Sequence, residues 1–393
     1  MVVIGGGFIG LEMVENLKAQ GIEVVLIERD MQIMPPIDKE MSLPIQWELE
    51  KHNVTVKLGQ SVTAFKESGD HLLVETDKGM SIETQMVITS IGVVPESDLA
   101  NACGLDIGPR GHIVVDKNLR TSDRSILALG DAIEVRSAVI DQKTALPLAG
   151  PANRQGRIAA DVISGRGRFF RGVQGTAVCG IFSLTMASTG ASEKTLKNQT
   201  SIDYDVVFAH PNNHVGYYPG ATPIYMKLLF DKMNGRVLGA QAVGESGVER
   251  RIDTIAMAIQ MNATVFDLEE SELCYAPQYG AAKDPINIIG MIAANVMRGD
   301  LHITPWQNMG KDNAIVLDVR DPDEIECGPI PADISIPLNQ LRQRLNELPL
   351  ERPIQICCAV GARAYNASRL LAQHGFNTSL LSGGAETWFC VQE

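Results

Sequence analysis

Val2-Val3-Ile4-Gly5-Gly6-Gly7-Phe8-Ile9-Gly10 stands at the start of the chain and decides how its first quarter is read. Three apolar residues make a buried strand, a glycine cluster turns the backbone, and apolar residues then recur at helical spacing from Phe8 to Gln20. The glycines fit Gly-x-Gly-x-x-Gly, with Gly5, Gly7 and Gly10 at the fixed positions. Only glycine lets a backbone turn this tightly and approach a pyrophosphate. The helix opening at Phe8 and Ile9 then offers unpaired N–H groups and a partial positive charge to the phosphates. Glu28 ends the next β-rich run, Glu23 to Ile27, about where a carboxylate accepts the hydroxyls of an adenosine ribose. An acid there favours NAD over NADP, although the adjacent Arg29 is placed to receive a 2′-phosphate. The plainer alternative, a turn that merely packs helix on strand, does not account for strand, helix and acid together.

Outward from that motif the chain alternates strand and helix. A helix is expected from about Asp38 to Asn53 and a strand from Val54 to Leu58. Short alternating runs follow near Val62, Leu72 to Glu75 and Ser81, and an apolar strand at Met86 to Ile91 closes the unit. Strands separated by crossover helices imply a parallel sheet covered on both faces, an α/β unit of Rossmann type over residues 1–94. Residues 95–168 read as a second, shorter α/β stretch. From 169 to 300 the pattern becomes α+β: strands at Tyr204–Phe208, Ile224–Phe230 and Val237–Val243, then helices at Val248–Met261 and Pro285–Met297. A linker carrying Pro305 leads into a last α/β unit over residues 301–393.

The 393 residues hold 34 basic against 47 acidic side chains, a net charge of −13, with no run of Lys or Arg. Nucleic acid is therefore not an expected partner, because phosphate neutralisation needs clustered cations. No apolar stretch reaches the roughly 18 residues needed to cross a bilayer, so no membrane association is expected. Met1–Ile4 has no basic residue before it and runs into glycines, which reads as a strand and not a signal peptide. The seven cysteines show neither framework nor zinc spacing. A reducing cytoplasm is expected, and no metal. Cys103 and Cys179 read as small packing residues.

The second informative segment is Thr121-Ser122-Asp123-Arg124-Ser125-Ile126-Leu127-Ala128-Leu129-Gly130-Asp131-Ala132. Read alone, it is a short apolar strand ending in an exposed acid, at the strand edge where α/β proteins bind ligands. The segment resembles the second FAD fingerprint of the pyridine nucleotide-disulfide oxidoreductases, which implies that Gly130 and Asp131 hold the flavin's ribityl chain. Ile91-Gly92-Val93-Val94-Pro95 is similar to that family's link from the NAD domain back to the FAD domain, which makes Gly92 a cofactor residue. The stretch from Leu148 and Ala149 to Arg157 resembles the one that sets a helix N-terminus near the isoalloxazine ring. The resemblance runs in order to about Arg298 and implies both FAD and NAD(P)H as cofactors, with a dimerisation domain over 169–300.

Within that family the likeness is to coenzyme A-disulfide and persulfide reductases. It rests on His214 to Ala221, Arg250-Arg251-Ile252-Asp253, and Tyr275-Ala276-Pro277-Gln278-Tyr279 with the residues to Pro285. It implies a homodimer in which Tyr275 or Tyr279 protonates a departing thiolate in the partner's site. The family uses two glycine cradles, and this chain shows one. Its first FAD lobe, with the redox cysteine, is expected upstream, leaving residues 95–168 a partial FAD domain and the reductase incomplete.

The last unit carries Cys358-Ala359-Val360-Gly361-Ala362-Arg363 between a buried strand, Ile354–Cys357, and a helical run, Ala362–Gln373. A cysteine in a short loop at a helix N-terminus has its thiolate stabilised by inward N–H groups. Arg363 adds positive charge for an anionic donor. Phosphatase loops of this kind carry one more residue between Cys and Arg, and the smaller ring suits sulfur. The loop resembles the rhodanese family, as do Leu317-Asp318-Val319-Arg320 with Glu324 and Leu381-Ser382-Gly383-Gly384, implying a rhodanese-like doubly wound α/β fold. Cys357, one residue earlier, should face the opposite side of the sheet. The expected activity is NAD(P)H-dependent reduction of a small-thiol disulfide or persulfide of coenzyme A or glutathione type, joined to sulfur transfer on Cys358. The rival is a reductase-inactive chain that acts only as a sulfurtransferase or sulfur carrier.

Overall fold

In the computed structural model, which describes residues 1–392, the opening strand Val2–Ile4 is central to a four-stranded parallel sheet. The order is Thr55–Lys57, Val25–Ile27, Val2–Ile4, Val87–Thr89. Alternation along three residues covers both faces. Val3 packs with Leu11 and Val14 of helix Phe8–Ala19 and with Ile45 and Leu49 of helix Lys39–Lys51. Val2 and Ile4 turn the other way, to Val74 of a three-stranded antiparallel sheet, Val62–Ser68, His71–Thr76 and Ser81–Thr84.

Residues 95–170 are mostly irregular around a small core of Ile113, Leu119, Ile133, Val135 and Ala159. The strand expected before Gly130 is absent. Leu127 makes a single bridge to Arg120, and Gly130–Ala132 is one turn of 3-10 helix. The apolar run has no full neighbour to pair with, so Ile126 and Leu129 stay exposed. Cys103 is also not a packing residue: it is exposed, at the end of the short helix Asp98–Ala102. Cys179 is buried as expected, and burial pushes its thiol up to about 12.

The third unit is a five-stranded antiparallel sheet, ordered Ala177–Ile181, Leu184–Gly190, Val237–Gly244, Ile224–Asp231, Tyr204–Ala209. Helices Val248–Gln260 and Pro285–Met297 supply Ile252, Ile255, Ile286 and Ile289 to its core. The first two strands are not legible in the sequence, since their alanines, glycines and serine carry little β-propensity. Lys227, in a central strand and fully buried, joins this sheet to the nucleotide unit. Its ammonium pairs with Asp38 at 2.8 Å, with Glu193 at 2.7 Å and with Glu40. Burial disfavours the charge, but the three carboxylates outweigh it and raise the Lys227 pKa.

The last unit is a parallel sheet ordered Ile303–Thr304, Thr378–Leu381, Ile354–Cys357, Ile315–Asp318, Ile334–Ser335. It sits on the third unit through His210 Nε2 and Thr387 Oγ1, 2.8 Å apart, and through Tyr225, whose hydroxyl donates to Glu386 at 3.0 Å. A Cβ at Gly383 would lie 2.7 Å from Phe208 Cβ, so the two units meet closely there. Among the described residues no helix is long and apolar enough to cross a membrane.

Candidate functional site

The glycine turn is built so that two of its positions exclude any side chain. Gly5 has φ +102°, and a Cβ there would lie 2.4 Å from the Ser90 carbonyl oxygen. A Cβ at Gly10 would lie 1.9 Å from the Gly5 carbonyl oxygen. Gly7, by contrast, has open space where its side chain would be. Glu28 is buried and its carboxylate is already in use: Oε2 accepts from Gly6 N at 2.6 Å and Oε1 from Asp30 N at 2.9 Å. Each carboxylate oxygen keeps a second lone pair for a ribose hydroxyl. Gly5, Gly7, Glu28, Arg29 and Gly92 line one cleft of about 650 Å³. Phe8 and Ile9 open the helix above it. The cradle fits a dinucleotide.

Gly130, at φ +80°, donates its N–H to Gln155 Oε1 at 2.7 Å. Gln155 lies in helix Ala149–Ile163, so the structure brings the Gly130–Asp131 turn beside the helix that starts at Ala149. That helix has no side-chain N-cap at Leu148, and Asp131, Ala149 and Gly150 are all exposed. Open first-turn N–H groups next to an exposed carboxylate fit the ring and polyol parts of a flavin.

The tyrosines separate by geometry. Tyr275 Oη lies 3.2 Å from Tyr217 Oη, and this hydrogen bond raises the Tyr275 phenol above its ordinary value. Tyr279 is 65% exposed and takes part in the loop through its backbone. Val215 N donates to Gly280 O at 3.1 Å, which ties together the two loops bearing the pair. Tyr217 is the residue that sequence reasoning missed. The Tyr217-Tyr218 doublet does not reveal which ring points at a loop 58 residues away.

Cys358 is 1% exposed, at the end of strand Ile354–Cys357. Its Sγ accepts from Gly361 N at 3.1 Å and from Ala364 N at 3.3 Å. Gly361, at φ +96°, supplies the turn into helix Ala362–Gln373. Behind the loop a Cβ at Gly384 would lie 2.5 Å from the Cys358 carbonyl oxygen. Cys357 points to the opposite core, and burial, with Asp318 adding to it, pushes its thiol far above the ordinary range. Arg363 is committed within the protein: it donates to Glu324 through both terminal nitrogens, at 2.6 and 2.5 Å, with Asp321 at 3.3 Å. That hydrogen-bonded pair raises the guanidinium pKa and holds the Glu324 carboxyl down at about 2. Two carboxylates beside one guanidinium leave no surplus positive charge at Arg363. A cleft of about 620 Å³ is lined by Val360, Gly361 and Tyr365 together with Pro211, Lys283 and Asn295 of the third unit, and Asn295 Nδ2 donates to Tyr365 Oη across it at 3.4 Å.

Residues 1–156 match the profile of the pyridine nucleotide-disulphide oxidoreductases, residues 176–284 that of the dimerisation domain of the same group, and residues 305–389 that of rhodanese-like domains. The chain is 35% identical over 290 residues to the coenzyme A disulfide reductase of Staphylococcus epidermidis, covering 74% of this chain and 65% of that protein. For the Staphylococcus haemolyticus protein of that name the values are 33% over 296 residues, 75% and 66%. The chain thus spans about two thirds of the length of these curated relatives. The reduced CoADR-RHD of Bacillus anthracis superposes at TM-score 0.96 with 45% identity, over 99% of this chain and 70% of that one. An NAD-dependent persulfide reductase from A. fulgidus superposes at 0.90 with 36% identity, over 99% and 71%.

Proposed function

This chain belongs to the pyridine nucleotide-disulphide oxidoreductase family and carries a rhodanese-like domain, and on that premise we propose that it serves NAD(P)H-dependent reduction of a small-thiol disulfide or persulfide, with sulfur handled on Cys358. The observation that carries the reading is a conjunction on one chain: a glycine cradle closed to side chains at Gly5 and Gly10, and a thiol held by two N–H donors at Cys358. We divide the chain at residues 94, 168 and 300 into nucleotide, flavin-contacting, dimerisation and sulfur-transfer parts. The relatives named for coenzyme A and for persulfide favour substrates of that class.

When bound, NAD(P)H supplies a hydride and FAD relays its electrons towards sulfur. The chain's own residues do the rest. Glu28 accepts the ribose hydroxyls, the open face of Gly7 admits the pyrophosphate, and the N–H groups at Phe8 and Ile9 neutralise it. Gly92 lines the nucleotide cleft, and Gly130, Asp131 and Ala149 would hold the flavin. Tyr275 gives its phenolic proton to a departing thiolate, and the Tyr217 hydroxyl, 3.2 Å away, orients the phenol and favours its protonated form until the thiolate leaves. Both hydroxyls are solvent-accessible on the third unit, which suits a homodimer in which the pair works in the partner's site. At the other end, the Cys358 thiolate attacks the outer sulfur of a persulfide RS–SH. The new S–S bond forms on Cys358, RS⁻ leaves, and the N–H groups of Gly361 and Ala364 hold the sulfur chain. Cys358 works only as a thiolate, so the reading carries a reducing, cytoplasmic setting.

The visible spectrum of the purified chain, with and without FAD and NADH, tests the reductase half. A flavin band that NADH bleaches would support the reductase half on this chain and overturn the expectation of an incomplete flavin site. A colourless protein that takes up no FAD, yet still forms thiocyanate through Cys358, would leave only the sulfur-transfer half.

A further inference from the structure

The loops bearing Tyr217 and Tyr275 are distant in sequence, and one buried carboxylate reaches both through two adjacent arginines. Asp284, 3% exposed, caps helix Pro285–Met297 through Oδ1, which accepts from Ile286 N at 3.1 Å. Arg251 donates to the same carboxylate, Nη2 to Oδ2 at 2.8 Å and Nε to Oδ1 at 3.3 Å. Arg250 Nη2 stands 3.5 Å from Oδ2. Each arginine then continues to a different loop. Arg251 donates to Asn213 O at 2.7 Å, and Asn213 Oδ1 accepts from His214 N at 2.9 Å and from Thr222 N at 3.0 Å. Those bonds close the turn that carries Tyr217. Arg250 donates to Tyr279 O at 2.9 Å and to Cys274 O at 3.3 Å, bracketing the residues between them. Those residues begin with Tyr275.

We propose that Arg250, Arg251 and Asp284 are positioning residues for the Tyr217–Tyr275 pair: they hold the two loops to one anchor and so set the distance between the hydroxyls. The inference rests on the reading of Tyr275 as the proton donor and adds residues that touch neither substrate nor cofactor. The chemistry suits the task. A guanidinium is a planar fork with several donors, able to hold two carbonyls and a carboxylate at once, which a lysine ammonium on a flexible stem does not do. Charge-assisted bonds to backbone carbonyls are also stronger than neutral ones, so a loop without regular structure keeps its shape. Asp284 and Arg251 are buried, and their replacement would disturb folding as well as position. Arg250 is the informative residue: its side chain is 38% exposed.

The test labels the protein at tyrosine Cζ with ¹³C and follows each ring by NMR through a pH titration, with Tyr217→Phe and Tyr275→Phe for assignment. Tyr217→Phe should move the Tyr275 midpoint, which establishes the pair. Arg250→Gln should move the Tyr275 midpoint in the same direction, by about half a pH unit for one weakened hydrogen bond. The resonances of Tyr204 and Tyr225 and the thermal midpoint should stay within error. Arg344→Gln, on the far unit, serves as the control and should move none of them. If Arg250→Gln leaves Tyr275 where it was while Tyr217→Phe shifts it, the positioning role is overturned and the pair survives. If Tyr217→Phe has no effect on Tyr275, the pair itself fails. If both shifts occur but Tyr275→Phe leaves disulfide reduction intact, the geometry stands and the proton-donor reading falls.

Discussion

The Lys227 ammonium lies 2.8 Å from the Asp38 carboxylate, across the seam between the nucleotide unit and the antiparallel sheet. Glu40 and Glu193 share the same cation. Removing the cation leaves three carboxylates facing one another in a buried place. Lys227→Met should therefore cost about 3–5 kcal/mol, as breaking a buried ion pair does. Urea unfolding reads this directly, and a loss below about 1 kcal/mol would show that the cluster does not hold the seam.

At the nucleotide cradle two glycines should respond differently to the same methyl group. Gly10→Ala drives a Cβ into the Gly5 carbonyl, so it should lower the thermal midpoint of the ligand-free protein and weaken NADH binding. Gly7→Ala meets nothing in the ligand-free protein. It should leave that midpoint unchanged and still weaken NADH binding about tenfold or more, as expected where the backbone must approach a pyrophosphate closely. Calorimetry and NADH fluorescence titration check both. Equal NADH affinity for Gly7→Ala and the parent would argue against a dinucleotide over that face.

Cys358→Ser should abolish thiocyanate formation, since a hydroxyl is too weak a nucleophile to accept sulfane sulfur. Cys357→Ala should keep most of the rate, because that thiol is buried in another core and held protonated. A colorimetric thiocyanate assay decides, and equal loss in the two variants would mean that Cys358 is not the sole acceptor.

The Arg363–Glu324 pair should make the last unit acid-sensitive. The Arg363 guanidinium depresses the Glu324 carboxyl to about 2 from its ordinary value of 4.5. A depressed acid contributes stability that is whole above its unfolded pKa and lost as pH falls through the folded one. The contribution should fade between pH 4.5 and 2. The pair is partly solvated, so the effect is about 1 kcal/mol. Glu324→Gln should flatten thermal midpoint against pH in that window and slow sulfur transfer at neutral pH by freeing the loop. An unchanged slope would place the acid sensitivity elsewhere.

What the sequence showed depended on how local the signal was. The Gly5–Gly10 turn, the helix Ala362–Gln373 and the opposed faces of Cys357 and Cys358 all follow from spacing within a few residues. The family likeness and the α/β fold with its rhodanese-like unit were legible for the same reason. Strands Ala177–Ile181 and Leu184–Gly190 were not, because neighbouring strands and not their own composition hold them in place. The run before Gly130 erred the other way, with apolar residues that find no sheet. Tyr217 and Glu324 act through partners 58 and 39 residues away, and no periodicity reports such a pair.

Gly383 and Gly384 are consecutive, yet they face different bodies. Gly383 is pressed against Phe208 of the sheet below, and Gly384 against the carbonyl of Cys358. The bearing on which the last unit rests and the rear wall of its sulfur loop are therefore adjacent links of one chain. Tilting that unit on its seat would strain the peptide behind Cys358 before it reached any other part of the loop. The mounting and the chemistry share a mechanical fate, and a substitution that loosens the joint would be read first in the reactivity of the thiol.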